Sequence, residues 1–164
     1  MPTPPPPSVI DHIVKEPLTD HTAFVSAKVA QLAAWWRERA ASGIPLRSSF
    51  DILDHGALAA DLYLIEAQGD DFVVKIHGES VKRIFGAGKT GRGVLTHQRS
   101  RATHQHYGMI VKTGRAYRCR GTLNHHNKDY IAFESVDCPL SSDGRTIDFI
   151  IGVIETVPRE AIGF

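Results

Sequence analysis

The alternation of apolar and polar positions divides the chain into one long helical stretch, two strands, short helices, a further helix and three strands. In "TDHTAFVSAKVAQLAAWWRERAASG", residues 19–43, Val25, Val29, Leu32 and Trp36 recur at spacings of four, three and four, which is an apolar helical stripe. Asp20 or Thr22 can cap its start, Gly43 closes it and Pro45 prevents its return, so a helix is predicted over residues 20–42. Trp35 stands beside Trp36 on a neighbouring face. Such a helix can pack on its own domain and on a second copy, or bury both indoles in one core.

Further on, Phe50, Ile52, Leu53 and Leu58 suit a short packed turn. Leu62 and Leu64 then alternate into a strand ending near Glu66, and "QGDD" at residues 68–71 turns into a return strand with Phe72, Val74 and Ile76 on one face. Val81, Ile84 and Phe85 change the period to that of a short helix. A longer helix is expected from about Ser100 to Lys112, with His106, Met109 and Ile110 on its apolar side and Gly114 closing it. Alternating strands follow over residues 116–124 and 130–140, and Asp143-Gly144 turns the chain into the β-branched run "TIDFIIGVIET". The order predicts an α+β domain over residues 19–156, one antiparallel sheet of five strands with helices over one face and room for a pocket between them. Residues 1–18, with the run Pro4 to Pro7, read as a disordered proline-rich leader, and residues 157–164 as a tail.

Composition narrows the function classes. The chain has 164 residues, 42% of them hydrophobic and 23% charged, which suits one globular domain. A formal net charge of +1 gives no global case for nucleic acid or an anionic membrane. The N-terminus lacks the basic and apolar regions of a signal peptide, and no apolar run is long enough to span a bilayer. A cytoplasmic protein with Cys119 and Cys138 as free buried thiols is the expectation, a disulfide between them the alternative.

The stretch "FGAGKTG", residues 85–91, ends like a phosphate loop. The GxxxxGK[ST] pattern requires a glycine where Arg83 stands, and a strand where the short helical segment lies. Gly86, Gly88, Gly91 and Gly93 are read as a chain reversal instead.

Several pieces of the chain, in order, resemble a known family. "LAAWWRERAASGIPLRSSFDILD" looks like its opening helix and the step before its first strand. Gly78, Phe85, Gly86, Thr90 and Gly91 match its "G…FG…TG" pattern. Pro139, Leu140, Asp143, Gly144, Ile147, Asp148, Ile150 and Gly152 match its final hairpin. The likeness, over about residues 29–155, is to the bacterial PAS-like proteins of the PAS_5 type. It implies a PAS fold with five antiparallel strands and helices over one face, and no enzyme chemistry. It also implies sensing of a small molecule or binding of another protein, and homodimers built on the opening helix. The chain departs from the pattern at Ile52, where a proline commonly stands, and in its histidine-rich middle.

On this reading the ligand pocket is drawn from Ile76, Val81, Ile84, Phe85, His106, Tyr107, Ile110, Arg118, Phe133 and Ile151, and the dimer or partner helix from Val25, Val29, Leu32, Trp35 and Trp36. No catalytic, cofactor-binding or metal-ligating set is assigned. None of the nine histidines forms the helical pair of a metallopeptidase, although folding can bring His77, His106 and His125 together. His106 is either a pocket ligand, to haem or a small molecule, or a hydrogen-bonded core histidine. Arg118 and Arg120 share a strand face, either as an anion grip or as a solvated surface. The expected function is a single-domain sensory or regulatory protein with an unknown small ligand. Its partner would be a histidine kinase, response regulator or other signalling protein. A ligand-free adaptor with a packed core, or a small-molecule enzyme, are the alternatives.

Overall fold

A computed structural model describes residues 10–98, 100–123 and 131–164. Six strands form a single antiparallel sheet: β1 (Ile10–Pro17), β2 (Leu62–Gln68), β3 (Asp71–His77), β4 (Tyr117–Leu123), β5 (Ile131–Ser141) and β6 (Ile147–Val157), in the spatial order β1-β4-β5-β6-β2-β3. The helices are α1 (Ala27–Ala40), α2 (Glu79–Phe85), α3 (Arg101–Thr113) and the short α4 (Arg159–Ile162), with 3-10 turns over Arg47–Ser49 and Ile52–Asp61. The α+β class is as expected, and the architecture is consistent with a PAS-like domain. Three features differ from the sequence reading.

First, the sheet has six strands rather than five. Ile10–Pro17, assigned to the disordered leader, pair along β4 from Ile10↔Leu123 to Pro17↔Tyr117. Their apolar residues do not form a long run, so alternation alone is too weak to mark the strand. Residues 1–9, with the polyproline run, lie outside the described residues. Second, helices cover both faces. Period-two alternation on the central strands sends Val136, Cys138, Leu140, Ile151 and Val153 to the α1 side and Phe133, Ile150 and Ile154 to the α3 side, so each face builds its own core. Third, α1 begins later than expected. Ser26 caps it, its Oγ accepting from the Val29 amide at 3.1 Å, and the capping carbonyl of Ser26 receives the Ala30 amide at 3.0 Å.

The stripe on α1 is spent inside the domain. Val29, Leu32 and Trp35 are buried against the sheet, and Trp35 meets Phe50 edge to face at 5.0 Å. The half-buried Trp36 donates from its indole to the Pro139 carbonyl at 2.8 Å. Of the five residues assigned to a partner-facing helix, Val25 alone is exposed, and it precedes the helix. Placing Val29, Leu32 and Trp35 on a dimer face is therefore corrected: an amphipathic helix buries its stripe on the nearest apolar surface, here its own sheet. The final residues are not a free tail either, because Ile162 is buried and its carbonyl receives Arg120 Nη1 at 2.5 Å.

The entry to α1 is fixed by a buried charge. Glu134 on β5 is 0% exposed. Its carboxylate accepts the amides of Val25 and Ser26 at 3.1 and 2.8 Å and two bonds from Arg118, Nε at 2.9 Å and Nη2 at 2.6 Å. Arg118 continues to Glu16 of β1 at 2.5 Å, so one guanidinium ties the edge strand to the sheet centre. Removing one member strands the others in a dry site. Glu134→Ala is expected to cost about 3–5 kcal/mol of unfolding free energy. The paired change Arg118→Met with Glu134→Leu is expected to cost less than the single one, as read by urea denaturation.

Candidate functional site

Between the sheet and α3 lies a cavity of about 350 Å³, walled by Ile65, Val74, Val94, Phe133 and Ile154, with Phe85, Ala102, Thr103 and Tyr107 over it and Ile13 and Lys15 toward β1. The "FGAGKTG" stretch helps to build this wall. Gly86, Gly88 and Gly91 adopt φ of 96°, 81° and 80°, as a chain reversal requires. The returning chain bonds to the outer edge of β3, the Gly91 amide to the Val74 carbonyl and the Val94 amide to that of Phe72, both at 2.7 Å. Asp71 pins the next turn by accepting the amides of Phe72, Leu95 and Thr96 at 2.8, 2.9 and 3.0 Å. Burial opposes its ionisation, but these amides prevail and hold its carboxyl down at about 2.

The inner end of the cavity is polar. Asp137, 4% exposed, points in from β5. One carboxylate oxygen accepts the Tyr63 hydroxyl, and the other lies 2.7 Å from His106 Nε2 on α3. The Cys119 sulfur of β4 stands 3.9 Å from that nitrogen and 4.0 Å from Asp137 Oδ2. Tyr63 reaches this point because β6 has no side chain beneath it: a Cβ on Gly152 would sit 2.1 Å from the Tyr63 ring. Burial, and then the Asp137 charge, raise the Tyr63 hydroxyl and the Cys119 thiol far above their ordinary values, so both remain protonated.

Polar atoms on this wall lack partners among the described residues. His106 Nδ1, His77 Nδ1 and Gln98 Nε2 are buried and make no hydrogen bond with the described residues, and all three residues line the cavity. Burial, then the charges of Lys82 and Lys89, lower the His77 imidazole to about 4, so it is neutral near pH 7.

Four of the residues expected in a pocket line this one: Phe85, His106, Tyr107 and Phe133. Val81, Ile84 and Ile110 pack behind them in the same apolar cluster. Ile76, Ile151 and Arg118 are on the opposite face and are corrected. Ile151 and Arg118 follow from strand alternation. Ile76 changes face because the β2–β3 register shifts, pairing Leu64 with Ile76 but Ile65 with Val74. Tyr63, Cys119 and Asp137 were missed, although Ser135 and Asp137 alternate in step with Phe133 and so were legible as inward polar positions. His125, considered with His77 and His106, is outside the described residues. Both cysteines are free.

No protein-family model matches the chain, and no curated protein sequence matches it. Among solved structures, one described as an RNA-binding light-oxygen-voltage receptor superposes with a TM-score of 0.54 at 14% identity. The match covers 94% of this chain and 41% of that one. The chain thus has a PAS/LOV-like fold. No helix among the described residues is long and apolar enough to cross a membrane.

Two outcomes test this geometry. Gly152→Ala drives a methyl group into Tyr63 and is expected to cost about 1–3 kcal/mol by denaturant unfolding. His77 binds its proton more weakly folded than unfolded, so the unfolded chain gains protons first as pH falls. Its contribution is intact above the ordinary value of 6.5 and is lost as pH drops towards about 4. The unfolding midpoint of the wild type should therefore fall more steeply across that window than that of His77→Gln.

Proposed function

We propose that the chain is a PAS-like sensory or regulatory domain that binds a small organic molecule in the cavity under α3. The observation that carries this is the coincidence of an apolar cavity of about 350 Å³ with unpartnered buried polar atoms on its wall. A buried donor without a partner costs about 1–3 kcal/mol, so a site that leaves several is stabilised by a molecule that completes them. Gln98 Nε2 can only donate, so the molecule presents an acceptor, a carbonyl or a carboxylate, to it. The aromatic rings of Tyr63, Phe85, Tyr107 and Phe133 favour a body that is flat and largely apolar. Lys15 at the β1 side favours an anionic over a cationic group.

The reading is of a binding module rather than an enzyme, with signalling by contact to a protein partner such as a histidine kinase or response regulator. Homodimerisation through the first helix is not part of it, since that stripe is buried.

Thermal unfolding in the presence of flat carboxylates and cyclic ketones, together with native mass spectrometry of the purified chain, tests the reading. A ligand at 100 times its Kd stabilises by about 2.7 kcal/mol, a Tm rise on the order of 5–10 °C for a chain of this size. Ala102→Trp, which fills the cavity from α3, is expected to abolish the shift while folding normally. No retained species, and no shift across the panel, would favour the ligand-free adaptor.

A further inference from the structure

We propose that His106, Cys119 and Asp137 form a binding site for one divalent transition-metal ion of the zinc type. The three residues come from α3, β4 and β5, all are buried, and their ligating atoms lie within 4.8 Å of one another. The donor set is one imidazole nitrogen, one sulfur and one carboxylate oxygen. That mixture suits borderline ions such as Zn2+ and Co2+, and it lacks the several oxygens that Mg2+ or Ca2+ demand.

The spacing fits with small adjustments. In a four-coordinate zinc site the nitrogen and oxygen ligands are about 3.3 Å apart and the sulfur about 3.6 Å from each. Here the sulfur stands 3.9 and 4.0 Å away, and His106 Nε2 is 2.7 Å from Asp137 Oδ2. The His106–Asp137 hydrogen bond opens by about half an ångström as the ion replaces the shared proton, and the sulfur closes by less. Tyr63 keeps its bond to the other carboxylate oxygen and so orients Asp137, the usual part of an outer-shell donor. All three ligands line the cavity, so the fourth coordination position opens toward it and is free for water or a ligand atom.

Charge balance favours the same conclusion. Among the described residues, no lysine or arginine pairs with Asp137, whose one ionic contact is His106. A divalent ion held by one thiolate and one carboxylate makes the site neutral. On binding, the Cys119 thiol gives its proton to solvent. His106 ligates through Nε2 with its proton on Nδ1, for which no described residue offers an acceptor.

Chelator-stripped full-length protein titrated with Co2+ tests the site, with Zn2+ as competitor. The expected result is one ion per chain, a thiolate-to-cobalt charge-transfer absorption with the visible bands of a four-coordinate ion, and displacement by Zn2+. Cys119→Ser is expected to remove the charge-transfer band, and Cys138→Ala, altered on the opposite face, to retain it. X-ray absorption of the zinc-loaded wild type needs no variant, and should show one sulfur at about 2.3 Å with nitrogen and oxygen at about 2.0 Å. Failure of the wild type to take up a stoichiometric ion, a zinc shell without sulfur, or a band that survives Cys119→Ser would each overturn the proposal. Small-molecule binding measured in chelator is unaffected by that failure, so the two readings fall separately.

Discussion

Strand β5 carries two buried carboxylates, Glu134 and Asp137, three residues apart and therefore on opposite faces of the sheet. The rest of the structure is arranged around satisfying them. An ionised carboxylate removed from water is tolerated only when charge or several donors surround it. Glu134 receives a guanidinium and the backbone amides that lead into α1. Asp137 receives a phenol and an imidazole from β2 and α3. Each carboxylate thus fixes the position of the layer that covers its own face.

The two faces are used differently. On the α1 side Trp35, Phe50, Leu58 and Leu140 fill the space, and the buried Glu134 and Asp61 are matched by Arg118 and Lys28. That face is the structural one. On the α3 side Asp137 is met by the Tyr63 phenol and the His106 imidazole, and buried polar atoms on the cavity wall have no partner among the described residues. The buried charge of Glu134 is satisfied on the α1 side, and the cavity lies on the other face. The loop built from "FGAGKTG" belongs to this second face. Its backbone seals the β3 edge and carries the chain to α3.

The sequence by itself determined the kind and order of the elements from α1 to β6, because helical stripes and strand alternation are local. It placed Phe85, His106, Tyr107 and Phe133 beside one cavity, since each lies at an inward position of an element whose period is plain. It identified the glycine run as a turn. What only the tertiary structure decided rests on pairings between distant segments. Ile10–Pro17 becomes a strand because β4 offers it an edge, not because its own pattern demands it. Ile76 is turned away from Phe72 and Val74 by a register shift against β2. The apolar stripe of α1 has the same sequence whether it meets a partner or its own sheet, and only the fold shows that the sheet takes it. The convergence of Tyr63, His106, Cys119 and Asp137 is of the same kind. Their order along the chain carries no motif, and they meet because an antiparallel sheet and one helix bring four separate segments to a single point.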